Sequence, residues 1–112
     1  MLQIAAKALS DKKGGNIEAI KVTDVTTLAD YFLICSGSSS TQVKALAEEV
    51  ELKLSQAGME PRHIEGKSTT WILLDYGELV VHVFYKEARD FYQLERLWVD
   101  GVKVDLTEII EE

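Results

Sequence analysis

The strongest hydrophobic pattern runs from Thr70 to Trp98 and holds most of the aromatic residues of the chain. Its first half contains two runs rich in β-branched and aromatic residues, Thr70–Asp75 and Leu79–Tyr85, with a turn sequence between them. Gly77 in that turn can adopt the positive φ that a tight hairpin turn needs. The pattern therefore predicts a β-hairpin. The expected cross-strand pairs are Trp71 with His82, Leu73 with Val80, and Asp75 with Glu78.

The alternation of side chains gives this hairpin two unlike faces. One face is almost purely apolar and is expected in the core; its residues are Ile72, Leu74, Tyr76, Leu79, Val81, Val83 and Tyr85. The other, called the mixed face below, carries Trp71, Leu73, Asp75, Glu78, Val80, His82 and Phe84. We expect the mixed face to expose more apolar area than a monomer normally shows, which would make it a binding surface.

Helical spacing of apolar residues predicts three helices around the hairpin. They are Leu2–Lys13, stopped by Gly14-Gly15, a long helix that follows the serines at 38–40 and runs to about Ala57, and Ala88–Val99. Ser39 with Gln42 fits a capping box at the start of the long helix. Gly58 fits the glycine position just after its end.

Three further strands complete the predicted fold. They are Ile17–Val22, Asp30–Ser36 and a short strand within Glu60–Glu65. The run Asp30–Ser36 is almost continuously apolar, which is typical of a strand at the centre of a sheet. The unit from Tyr31 to Glu65 is expected to be a right-handed crossover joining parallel strands. The order predicts one α/β domain over residues 1–112, with a mixed sheet of about five strands flanked by helices and a loosely ordered tail at 101–112.

Charge and cysteine content narrow the function classes. The net charge is −7 and the basic residues are scattered, so direct nucleic-acid binding is disfavoured. Such a surface suits a basic protein partner, or it serves solubility alone. The single cysteine, Cys35, can form neither an internal disulfide nor a structural zinc site, and it is expected to be a buried, inert thiol. No signal peptide or membrane-spanning run is found, so a soluble, cytoplasmic protein is expected.

Three candidate chemical sites each have a plainer interpretation. Gly37-Ser38 could bind a phosphate at a helix N-terminus, but the usual phosphate-loop motifs are absent and a capping turn is favoured. Glu49 and Glu51 have the spacing of the metal-binding carboxylates of nucleotidyltransferases. Within a helix, however, they point to different sides and cannot share a metal. His82 is interpreted as a paired or interface histidine rather than a general base. No catalytic residue, cofactor site or metal site is predicted.

Several short motifs together resemble those of the ribosomal silencing factor (Iojap) family. They are Glu65-Gly66, Trp71–Gly77, Val81–Phe84 and Arg89–Trp98, with Asp30-Tyr31-Phe32 and Ser36-Gly37 upstream. The combination of Trp-x-x-x-Asp-x-Gly, Val-His-Val-Phe and Phe-Tyr-x-Leu-Glu-x-Leu-Trp is fairly specific, whereas the tail beyond Asp100 is not characteristic. The resemblance covers nearly the whole chain.

The resemblance implies a fold and a function that spacing alone does not reveal. The implied fold is a nucleotidyltransferase-like α/β sheet without the catalytic carboxylates. The implied function is non-enzymatic: family members bind the large ribosomal subunit through its fourteenth large-subunit protein, at the subunit-joining face. There they block the small subunit, so that translation is damped when nutrients are short. Family members are often homodimers when free. The alternative is a small nucleotidyltransferase-like, nucleotide-binding enzyme.

If the mixed face is the ribosome-binding surface, six residues are predicted to form it: Trp71, Leu73, Asp75, His82, Arg89 and Tyr92. Trp71 is the expected anchor, because a tryptophan buried in a partner pocket is a frequent hot spot. Asp75 would offer its carboxylate to a lysine or arginine of the partner. Arg89 and Tyr92, at the start of the last predicted helix, would complete the patch.

Overall fold

Two helices and six strands make up the part of the chain that a computed structural model describes, which is residues 2–21, 29–66, 71–86 and, for the backbone, 102–104. The helices are α1 (Leu2–Asp11) and α2 (Ser40–Gln56). The strands are β1 (Gly15–Lys21), β2 (Tyr31–Gly37), β3 (His63–Glu65), β4 (Trp71–Asp75), β5 (Leu79–Tyr85) and β6 (Val102–Val104). The predicted helix Ala88–Val99 lies outside the described residues.

The six strands form one mixed sheet in the order β3-β4-β5-β2-β1-β6. The pair β2–β5 is parallel, and the other neighbouring pairs are antiparallel. The predicted α/β class with a mixed sheet is confirmed, and β2 is a buried central strand as its apolar run indicated. The sixth strand was not predicted: Val102–Val104 pairs with β1 inside the segment expected to be a loose tail, and the rest of that segment lies outside the described residues.

The crossover from β2 through α2 to β3 differs from the prediction in one respect. The two strands run in the same direction, because β5 is parallel to β2 while β4 is antiparallel to both β5 and β3. They are not neighbours, however, since β4 and β5 lie between them. The crossover therefore carries the chain past two strands, and the hairpin β4–β5 then returns to fill the gap. A local pattern cannot reveal this, because it does not specify which strand pairs with which.

Capping residues and residues with positive φ determine where the two helices begin and end. At the start of α2 the Ser39 hydroxyl accepts the Gln42 backbone N–H at 3.1 Å, which confirms the serine half of the predicted capping box. In the other half, the Gln42 side chain accepts the N–H of Ser38 instead of that of Ser39. At its end Gly58 has φ +85°, as a terminating glycine should. The end of α1 differs from the expectation: Lys13, not a glycine, takes the left-handed conformation, with φ 61°. Gly14 is required for another reason, because a Cβ there would overlap the Cys35 sulfur.

The larger core lies between one face of the sheet and the two helices. The apolar face of the hairpin belongs to it, with Ile72, Leu74, Tyr76, Leu79, Val81 and Val83 buried, as predicted. From the helices it contains Leu9 of α1 and Leu46 and Leu54 of α2. Cys35 is buried in the same core, as expected for an inert thiol. Neither described helix is long and apolar enough to cross a membrane.

Candidate partner-binding surface

The hairpin has a different register from the predicted one but keeps the predicted faces. The observed pairs are Trp71 with Phe84, Leu73 with His82, and Asp75 with Val80. Each predicted pair is therefore wrong by two residues on β5. Because side chains alternate with a period of two, a shift of two residues leaves every strand side chain on the face assigned to it, and only Glu78 leaves the mixed face for the turn. Apart from Glu78, the mixed face thus has the predicted composition.

The change of register has its cause in the turn. Tyr76 donates its N–H to the Leu79 carbonyl at 2.8 Å, so the two turn residues are Gly77 and Glu78 rather than Tyr76 and Gly77. Gly77 has φ +89° and therefore takes the first turn position instead of the second. Asp75 supports this choice, because its Oδ1 accepts the Gly77 N–H at 2.8 Å.

The role of Asp75 in the structure is to shape this turn. Besides the bond from its carboxylate to Gly77, its backbone oxygen accepts the Arg62 N–H at 2.7 Å. The Arg62 guanidinium lies beside the turn, where a Cβ on Gly77 would be 3.0 Å from its Cζ. Arg62 was not among the predicted site residues, and no signal in the sequence places it here, since its position depends on the pairing of β3 with β4. Asp75 is half-buried, and its contact with a partner stays a prediction.

The mixed face is buried over β5 and partly exposed over β4. Val80 is 8% exposed, His82 4% and Phe84 0%. They are covered in part by side chains that neighbouring strands place on the same face, namely Ile20 of β1 and Phe32 and Ile34 of β2. The expectation of unusually large exposed apolar area is therefore wrong for β5. Trp71 and Leu73 are half-buried at the border of this second cluster and remain accessible.

His82 is the paired histidine that the sequence interpretation favoured. Its Nδ1 accepts the Trp71 indole N–H at 3.2 Å, so its Nε2 carries the proton. The ring packs against Phe32 with a centroid distance of 4.9 Å. Burial lowers the pKa of His82 from 6.5 to about 4, which keeps the imidazole neutral at pH 7. A side chain this deeply buried has little surface to offer a partner, and the contact of His82 with a partner stays a prediction.

Of the six predicted site residues, the structure brings four together on one hairpin. Trp71, Leu73 and Asp75 lie on the same side of β4, at every second position. His82 lies on the neighbouring strand β5, where it pairs with Leu73. Arg89 and Tyr92 lie outside the described residues. The accessible part of the candidate surface, called the β4 strip below, is therefore the set Trp71, Leu73 and Asp75.

A second candidate site is a cavity of about 350 Å³ at the carboxyl ends of β2 and β5, beside the N-terminus of α2. Its lining includes Lys13, Ser38, Gln42 and Lys86. Gln42 occupies the donors that a phosphate would use: its Oε1 accepts the Ser38 backbone N–H at 2.6 Å and the Ser38 hydroxyl at 2.8 Å. Its Nε2 donates to the Lys13 carbonyl at 3.1 Å. This confirms the capping turn as the structural role of Gly37-Ser38.

The carboxylates of α2 do not gather into a metal site. Glu49 and Glu51 both lie within the helix, as predicted. Within the described ranges, no group of three or more histidine, cysteine, aspartate or glutamate side chains could hold a metal ion. The β4 strip is therefore the candidate surface that the described structure supports best.

Comparison with known proteins gives a consistent picture. A family model described as "Ribosomal silencing factor during starvation" matches residues 1–112. The chain is 42% identical over 107 residues to the ribosomal silencing factor of Bacillus subtilis, covering 95% of this chain and 91% of that protein. It is 40% identical over 111 residues to that of Halalkalibacterium halodurans, covering 98% of this chain and 95% of the other. A crystal structure of a protein from Chromobacterium violaceum has a TM-score of 0.85 and 39% identity, covering 87% of this chain and 82% of that one.

Proposed function

The chain belongs to the ribosomal silencing factor family, and we propose that it binds the large ribosomal subunit and blocks joining of the small subunit. The contact on the ribosome is the fourteenth large-subunit protein, at the subunit-joining face. The effect is repression of translation when nutrients are limited. The protein acts by occupying this face and without catalysis, and its place of action is the cytoplasm, where the subunits meet.

The observation that supports this proposal most directly is the family match over the whole chain, together with the β4 strip. Trp71 and Leu73 are half-buried apolar side chains next to one another on one face, which is the usual composition of an interface centre. Asp75 places a carboxylate beside them at the turn. The net charge of −7 suits a basic protein partner and opposes direct binding to the ribosomal RNA.

The test is sedimentation of the purified protein with separated ribosomal subunits. We expect recovery with large subunits and not with small ones, and loss of subunit joining when the protein is added to large subunits first. A matched pair of variants localises the contact: Trp71→Ala on the β4 strip against Leu52→Ala, an exposed leucine on α2. Recovery with both subunits alike, or with neither, contradicts the proposal. Equal loss with both variants contradicts the choice of surface.

When the protein is not bound to the ribosome, the accessible parts of Trp71 and Leu73 contact water, which favours self-association. We propose that the protein is a homodimer when it is not bound to the ribosome, with the β4 strip at or near the interface. Trp71 and Leu73 would then contact either the second copy of the protein or the ribosome, but not both at once.

A further inference from the structure

Trp71 is held in one orientation by two buried aromatic neighbours. Its Nε1 donates to the Nδ1 of His82 at 3.2 Å. Its ring stacks on Phe84, with a centroid distance of 5.0 Å and an angle of 23° between the planes. His82 and Phe84 are both buried, so these contacts come from the fixed interior of the sheet. The indole therefore has a preset position at the border of the mixed face.

A histidine is an unusual choice for the place that His82 occupies. Because Nδ1 accepts the indole N–H, Nε2 is a buried donor, and among the described residues it has no hydrogen-bond partner. A phenylalanine would fill the same site among Phe32, Trp71 and Phe84 without leaving a buried donor unpaired. What the imidazole adds, and a phenyl ring lacks, is an acceptor for the Trp71 N–H.

We propose that His82 is a positioning residue, which turns the Trp71 indole N–H inward so that the ring meets its partner through apolar atoms alone. The indole N–H is the one polar group of a tryptophan side chain, and here it is already donated. Leu73 continues the accessible strip with a second apolar side chain. The partner group at this point is then an apolar side chain, and not a hydrogen-bond acceptor. This inference rests on the proposed function, because the partner is the ribosomal protein assigned above.

A double-mutant cycle on large-subunit binding tests the inference. The variants are Trp71→Phe, His82→Phe and both together, with Leu52→Ala as a control on the outer face of α2. We expect His82→Phe alone to weaken binding about ten-fold, the usual effect of losing one oriented hydrogen bond. In the Trp71→Phe background the same change should have no further effect, because both substitutions remove the same bond. Additive losses, or a loss in Trp71→Phe with none in His82→Phe, would show that Trp71 binds the partner independently of His82 and would overturn the inference.

A second measurement reads the hydrogen bond without the ribosome. In the ¹⁵N-labelled protein the Trp71 indole N–H signal is identified by its absence in Trp71→Phe. We expect its hydrogen exchange to be at least about ten-fold faster in His82→Phe than in the wild type. Unchanged exchange would overturn the positioning role by itself. Failure of the wild-type protein to bind large subunits would instead overturn the proposed function, and the partner assignment with it.

A rescue pair guards against a folding defect in His82→Phe. Asparagine and leucine have similar shapes, but the asparagine Oδ1 can take the place of Nδ1 as acceptor, whereas leucine has none. We expect His82→Asn to restore slow exchange of the indole N–H and most of the binding, and His82→Leu to restore neither. Equal behaviour of these two variants would contradict the role of the acceptor.

Discussion

Two adjacent leucines on β4 have different expected roles, one in stability and the other in binding. Leu74 is 1% exposed in the core under the helices, whereas Leu73 is half-buried on the mixed face. We expect Leu74→Ala to lower the free energy of unfolding by roughly 2–5 kcal/mol, through lost burial and a cavity. Leu73→Ala should cost about 1 kcal/mol but weaken large-subunit binding. Urea denaturation and subunit sedimentation of the two variants measure both effects. If Leu73→Ala is the more destabilising change and Leu74→Ala the one that weakens binding, the assignment of the two faces is wrong.

The buried imidazole of His82 makes the stability depend on pH. Its pKa is lowered from 6.5 to about 4 by burial, so between these values the unfolded chain binds a proton that the folded chain does not. The contribution of the neutral His82 to the free energy of unfolding is fully present above pH 6.5. It is lost as the pH drops towards 4, by roughly 3 kcal/mol in all. His82→Phe should lose this part of the acid sensitivity, while His63→Gln, which changes the exposed histidine, should keep it. Denaturant unfolding of the wild type and the two variants at several pH values measures this. If the free energy of unfolding depends on pH equally in all three proteins, the prediction is contradicted.

At the scale of elements, the N-cap of α2 offers a matched pair of serines. The Ser39 hydroxyl accepts a backbone N–H of the first turn, whereas the neighbouring Ser40 is the first residue of the helix itself and is exposed. We expect Ser39→Ala to lower the melting temperature, at a cost of about 1 kcal/mol, and Ser40→Ala to have almost no effect. Thermal melts followed by circular dichroism measure this. If both variants melt alike, the cap does not stabilise the helix.

Much of each element was predictable from the sequence, because local rules decide it. Period-two alternation placed the side chains of both hairpin strands on their correct faces, and Ser39 and Gly58 marked the ends of α2. The register was not predictable, because it depends on whether Gly77 takes the first or second turn position, and Asp75 decides this through a side-chain bond. The bond from Trp71 to His82 was missed too, although both residues had been assigned to the surface.

The burial of His82 was missed for a reason that belongs to topology. Part of its cover comes from the strand beside β5, which is β2, and from the side chains that β2 and β1 add to the same face. Parallel pairing between strands far apart in sequence leaves no local signal. The candidate surface was therefore predicted with the correct strand and the correct face, but with more of it exposed than the structure shows.

For the whole molecule, charge should govern how the protein meets its partner. A net charge of −7 attracts a basic ribosomal protein over a distance that dissolved salt shortens. We expect large-subunit binding to weaken as potassium chloride rises from about 50 mM to 300 mM, mainly through slower association. Sedimentation across a salt series gives the affinities, and stopped-flow mixing gives the rates. Binding that is unchanged or strengthened by salt would mean that apolar contact alone drives the association.

The oligomeric state is the second property of the whole molecule open to measurement. We expect light scattering to report a mass of about twice 12.5 kDa at micromolar concentration. Replacing Trp71 by alanine should shift the equilibrium towards the monomer if the β4 strip lies at the dimer interface. A monomer mass across the whole concentration range would contradict the dimer, and a dimer unaffected by Trp71→Ala would place its interface elsewhere.

The parallel pair β2–β5 also sets the order in which the chain can fold. The pairs β1–β2 and β4–β5 join neighbouring segments and can form early, since they close short loops. Joining β2 to β5 brings Tyr31 beside Leu79, and the chain between them must give up far more conformational freedom. On the ribosome the amino-terminal half emerges first and must wait for β5 with the edge of β2 unpaired. Among strands β1 to β5, the central pair β2–β5 is thus the last to form during synthesis, and only β6 joins the sheet after it, at the edge of β1.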